Sequence, residues 1–67
     1  SRELSREIAL AMESLSDKQR AVFVLRHFHD QKLQDIAKTL GCAEGTVKNY
    51  LFRATQHMQE KLREYKS

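Results

Sequence analysis

Apolar residues recur with helical spacing from the start of the chain. Leu4, Ile8, Ala11 and Leu15 stand four, three and four apart, with Met12 beside them, which predicts an amphipathic helix. Ser16 and Asp17 interrupt the stripe. Ser16 and Gln19 lie three apart just ahead of an apolar run, the signature of a capping box, so a second helix is predicted to start near Asp17. Its apolar residues are Ala21, Val22, Phe23, Val24, Leu25 and Phe28. At about 100° per residue, Ala21, Val24, Leu25 and Phe28 share one side, while Val22 and Phe23 widen it. A short helix that is apolar nearly all round is expected at the centre of its domain.

The polar stretch His29-Asp30-Gln31-Lys32 predicts a connection. Leu33, Ile36, Ala37 and Leu40 then predict one short helix, which Gly41 ends in the left-handed conformation that glycine adopts without steric cost. Beyond Cys42 and Ala43, the residues Val47, Leu51, Ala54, Met58, Leu62 and Tyr65 follow a 4-3-4-4-3 rhythm, one long helix with a single apolar seam. The expected fold is all-α: one four-helix domain over residues 1–67, without repeats or linkers. Within it, residues 33–60 have the pattern of a helix-turn-helix without a wing. Ala37 is small where two helices approach, Gly41 lets the chain reverse, and Val47 locks the second helix onto the first.

Composition narrows the function classes. The longest apolar runs, Ile8 to Met12 and Ala21 to Leu25, are five residues, too short for a transmembrane helix or a secretory signal, so no membrane partner is expected. A single cysteine cannot form an internal disulfide, and a reducing, cytoplasmic location is the expectation. The net charge of +3 is unevenly placed. Residues 1–30 hold five basic and five acidic side chains, whereas residues 31–67 hold seven basic and four acidic ones. That surplus in the half with the helix-turn-helix hints at a polyanionic partner.

The last helix supplies a face for one. With Val47 at 0°, the seam residues lie within about 60° of it, while Lys48 falls near about 100°, Phe52 140°, Gln56 180°, Asn49 200° and Arg53 240°. Arg and Lys suit guanine O6 and N7, Asn and Gln suit adenine, and an apolar side chain meets the thymine methyl. Phe52 is an apolar residue facing away from the core, and packing on an unseen neighbour is the alternative to a DNA contact. Thr46 and the amides from Glu44 to Thr46 lie at a helix N-terminus, suited to a backbone phosphate.

Catalytic chemistry has little support. His27 and His29 point about 200° apart on a helix and cannot share a metal, and His57 is remote in sequence. Cys42 in the turn is expected to be a small apolar filler. No phosphate loop, paired-carboxylate site or nucleophile–base set is present, so no enzyme activity, metal or cofactor is expected.

Gly45-Thr46-Val47-Lys48 followed by Leu51-Phe52-Arg53-Ala54 resembles the recognition helix of bacterial sigma factors. Leu15-Ser16-Asp17-Lys18-Gln19-Arg20 with Val22-Phe23-Val24-Leu25-Arg26 resembles the helices before it. Together they are similar to region 4 of the extracytoplasmic-function class over nearly the whole chain. The LuxR-type response-regulator domain shares Thr46-Val47-Lys48, but Gly45 and the Arg53-Ala54 pair favour the sigma resemblance. A protein-interaction module that binds an anti-sigma factor without touching DNA is the alternative from another class.

The resemblance implies recognition of the promoter −35 element in double-stranded DNA and docking on the β flap of RNA polymerase. It implies base or phosphate contacts from Lys48, Asn49, Phe52 and Arg53 and a backbone contact from Thr46. A sigma factor also needs a domain that binds the −10 element and melts DNA, expected outside these residues. Three positions depart from the family: Ala43 and Lys32 stand where capping residues are frequent, and Tyr50 where a basic residue is. The extra apolar surface of the second helix, Val22 and Phe23, with neighbouring Leu4, Ile8 or Met12, predicts a groove for a partner helix. By resemblance that partner is the β flap or a competing anti-sigma factor.

Overall fold

A computed structural model describes residues 2–65, with the Tyr65 side chain and residues 1, 66 and 67 outside the description. Four helices follow one another: α1 Arg2–Glu13, α2 Asp17–His27, α3 Leu33–Leu40 and α4 Glu44–Tyr65. No strand occurs among the described residues. The 22 residues of α4 extend about 33 Å at 1.5 Å per residue. That is nearly the molecule's 37 Å long axis, so α4 is the spine on which the other helices pack.

Local chemistry sets each boundary. The capping box forms as expected: the Gln19 amide donates to Ser16 Oγ at 3.2 Å, and the Ser16 amide donates to Gln19 Oε1 at 3.5 Å. Helix α3 ends in a Schellman arrangement around Gly41, whose φ is 68°. The Gly41 amide donates to Lys38 O at 3.3 Å and the Cys42 amide to Ala37 O at 3.0 Å, so the chain turns without leaving those carbonyls unpaired. Lys32 caps α3 by backbone geometry alone, with no side-chain bond. Asp30 also has a positive φ, 55°, in the connection after α2.

The join between α1 and α2 is held by an arginine. Arg20 Nε donates to Met12 O at 2.9 Å, and its Nη2 donates to Glu13 O at 3.2 Å and Leu15 O at 2.9 Å. These carbonyls lie at and just past the end of α1, where no further helical turn supplies i+4 amides to donate to them, and a planar guanidinium reaches several at once. Ser14 adds a tether to α4. Its hydroxyl donates to Ala11 O at 2.7 Å and shares a hydrogen bond of 2.6 Å with His57 Nε2.

The core has two clusters strung along α4. One holds Ala11, Leu15, Ala54 and Met58, with Ile8, Met12 and Phe23 packed on it, and joins α1 to the far half of α4. The other holds Val22, Ile36, Ala37 and Val47 and closes the helix-turn-helix. Leu25, Leu33, Leu40, Cys42, Tyr50 and Leu51 pack around it, which places Cys42 as a half-buried filler.

Helix α2 departs from expectation. Val22, predicted at the margin of the packed sector, is fully buried at its centre, while Phe28, predicted inside that sector, is 61 % exposed. The reason is that α2 has neighbours on two sides: Val22 faces α3 and the start of α4, and Phe23 faces α1 and the far half of α4. Phe28 lies one residue past the last turn of α2, as its C-cap. There the helical phase no longer matches a packed neighbour.

Candidate nucleic-acid interface

The N-terminal half of α4 has two contrasting sides. Val47 and Ala54 are fully buried, and Leu51 is half-buried between them. Thr46, Lys48, Asn49, Phe52, Arg53 and Gln56 are all exposed, Phe52 by 65 %. All six residues singled out from the sequence therefore share one solvent face of a helix whose opposite side is locked onto α3. Tyr50, at the position where a basic residue is frequent, packs instead on the helix-turn-helix core.

Among the described residues, three arginines make side-chain hydrogen bonds, of two kinds. Arg20 and Arg26 donate to backbone carbonyls, Arg26 through Nη1 to Gln31 O at 2.9 Å, and so serve the fold. Arg53 instead donates only through Nε, to Asn49 Oδ1 one turn earlier at 3.4 Å. Its two Nη groups have no protein partner among the described residues. A shallow polar concavity beside it is lined by Gln19, Arg53, Gln56, His57 and Glu60. The exposed face thus presents a cationic fork, an ammonium, amides and one aromatic ring, which is hydrogen-bonding and apolar chemistry suited to base edges.

The start of α4 needs one correction. The Thr46 and Val47 amides both donate to Ala43 O, at 3.0 and 3.1 Å, so the Thr46 amide is not available to a phosphate. The Glu44 and Gly45 amides precede the first helical bonds. Gly45 has no positive φ, and a Cβ there would meet nothing within 4 Å, so the fold itself does not require glycine.

The expected partner groove is also revised. Val22, being fully buried, has no surface to offer, and Phe23 is half-buried against the α1–α4 cluster, 4.6 Å from the His27 ring and 6.4 Å from the Phe28 ring. An open apolar groove does exist nearby, between α1 and the end of α2, lined by Ser5, Ile8, Ala9, Met12 and Phe28. Ile8 and Met12 were anticipated there. Phe28 was not, because its sequence spacing matched the packed side of α2.

Among the described residues no group of three or more His, Cys, Asp or Glu could hold a metal ion. No helix of the described residues is long and apolar enough to cross a membrane.

The sequence is similar to those of known proteins. Residues 5–58 match the family model described as Sigma-70, region 4. The RNA polymerase sigma-E factor of Streptomyces antibioticus is 44 % identical over 52 residues, which cover 78 % of this chain and 29 % of that protein. The sigma-E factor of Streptomyces coelicolor is 41 % identical over 51 residues, covering 76 % and 29 %. The chain thus spans less than a third of the length of these curated relatives. The family match runs from α1 through both core clusters and the exposed α4 residues from Thr46 to Gln56, and the chain belongs to the sigma-70 region 4 family.

Proposed function

We propose that this domain recognises the promoter −35 element during transcription initiation, as the DNA-reading part of an extracytoplasmic-function sigma factor. The observation that carries the reading is the exposed face of α4, where Thr46, Lys48, Asn49, Phe52, Arg53 and Gln56 stand together opposite a buried seam. A helix held this way can enter the major groove and present its N-terminal residues to base edges. In this reading Arg53 meets a guanine, Phe52 meets a thymine methyl, and Lys48, Thr46 and Gln56 meet bases or the adjacent phosphates. The domain acts by binding, with no chemical step of its own, in the cytoplasm where promoter DNA is found.

The second partner is RNA polymerase core. The apolar groove of Ile8, Ala9, Met12 and Phe28 lies between α1 and the C-terminal end of α2, and no α4 residue lines it. An amphipathic segment of the β flap can lay its apolar side there while α4 holds DNA, and an anti-sigma factor can compete for the same groove.

The test is an electrophoretic titration of the chain against duplex DNA at several salt concentrations. Lys/Arg contacts to phosphates release counterions, so log K should fall linearly with log salt, and one set of sequences should bind more tightly than the rest. A chain that binds the β flap but no DNA would overturn promoter recognition.

A further inference from the structure

Asn49 and Arg53 both lie on the reading face, and either could contact a base alone. Their contact with each other separates their roles. Asn49 Oδ1 accepts from Arg53 Nε at 3.4 Å, across one helical turn. A bidentate adenine contact needs the amide oxygen to accept from N6 while the amide nitrogen donates to N7. An oxygen already turned along the helix toward Arg53 is poorly placed for that. Arginine is affected in the opposite sense. Guanine O6 and N7 can be met end-on by two Nη groups, leaving Nε free for another acceptor. In Arg53 the Nε is the anchored group, and both Nη groups are without a protein partner among the described residues.

Resting on the promoter-recognition reading above, we propose that Asn49 is a positioning residue: it holds the Arg53 fork toward a guanine and does not itself specify a base. An exposed arginine has several rotatable bonds, and ordering it on DNA is a cost of binding that prior anchoring reduces. The other side chains within a turn do not replace Asn49. Phe52 has no acceptor, and no bond joins Gln56, His57 or Glu60 to Arg53.

Two measurements on the 67-residue chain test this. The first needs no DNA: the Arg53 Nε–Hε resonance is followed by NMR. Asn49→Ala should shift it and speed its exchange with water severalfold, while the Arg20 Nε–Hε resonance, bound to Met12 O, stays unchanged. An Arg53 resonance indifferent to Asn49→Ala overturns the proposal.

The second is selection from a randomised duplex library, followed by affinities for single-base variants of the selected site. The base pair assigned to Arg53 is the one whose guanine preference disappears in Arg53→Lys. At that pair, Asn49→Ala should lower the preference for guanine about three- to tenfold, with other pairs unaffected. In the Arg53→Lys background, Asn49→Ala should have no further effect there. Asn49→Asp keeps the acceptor, so it should keep the guanine preference while weakening binding to every sequence alike. Asn49→Ala changing preference at a different pair, or Asn49→Asp losing the guanine as Ala does, overturns the positioning role and leaves promoter recognition standing. A wild-type chain that selects no sequence overturns both.

Discussion

Removal of the Arg20 guanidinium should loosen α1 from the rest of the domain. Three of its hydrogen bonds end on the carbonyls of Met12, Glu13 and Leu15, at 2.9 to 3.2 Å. Hydrogen bonds to a charged group contribute about 1.5–3 kcal/mol each when buried. The Arg20 side chain is 38 % exposed, and the freed carbonyls can rehydrate, so the three together come to about 2–3 kcal/mol rather than their full sum. The Arg20–Asp17 ion pair at 3.2 Å adds little, because the Asp17 side chain is 99 % exposed. A domain of this size has about 3–10 kcal/mol of stability in all. Arg20→Ala should therefore lower the urea midpoint sharply. Arg20→Lys, whose ammonium lacks the planar fork, should recover less than half of the loss. Hydrogen exchange should place the loss mainly in α1, since the other core cluster, Val22 with Ile36, Ala37 and Val47, does not include that helix. Arg20→Ala melting like wild type would refute the clamp, and so would Arg20→Lys matching the native arginine.

Other substitutions probe separate parts of the account. Asp30→Gly should raise stability by about 0.5–1 kcal/mol in thermal melts, because it relieves a side chain at φ 55° and removes an acid near the C-terminus of α2. A lower melting midpoint would show that Asp30 makes a compensating interaction. Gly45→Ala should stabilise α4 by about 0.5 kcal/mol, since the added methyl meets open space; destabilisation in urea would contradict that geometry. Val22→Ala should cost about 2 kcal/mol as a cavity in the helix-turn-helix core, with loss of DNA affinity only where unfolding becomes appreciable. Phe28→Ser should leave the melting midpoint and DNA affinity near wild type while weakening β-flap binding in a pull-down. Unchanged flap binding would remove Phe28 from the proposed groove.

The chain pattern and the structure agree where one residue governs a local geometry. Ser16 and Gln19 specify their capping box through neighbours three apart, and Gly41 is the one residue in its turn free to take a left-handed φ. The face of α4 was legible for a related reason. A long helix with a single seam leaves only one side for solvent, so Val47 and Ala54 place Lys48, Phe52 and Arg53 by phase alone. Helix α2 was harder to interpret, because periodicity gives the angle between residues but not the number of neighbours around them. With helices on two sides, Val22 became the centre of one cluster and Phe23 the margin of another. Arg20 is one of 12 basic residues in the sequence, and only the path of the chain between α1 and α2 brings three carbonyls to its fork. The Asn49–Arg53 contact is an ordinary spacing of four on a helix. Its meaning came from the exposure of the face and the absence of a protein partner for the Arg53 Nη groups among the described residues.

The most direct test of the central claim is a base-pair substitution scan of a selected DNA site, bound by wild-type chain and by Arg53→Ala at two salt concentrations. The account predicts that wild-type affinity falls steeply with salt. It also predicts that Arg53→Ala costs about 1–3 kcal/mol and relaxes the preference at one base pair, with unchanged folding by circular dichroism. Binding that ignores salt, or an Arg53→Ala variant as selective as wild type at every base pair, would contradict the assignment of the α4 face as the DNA-reading surface.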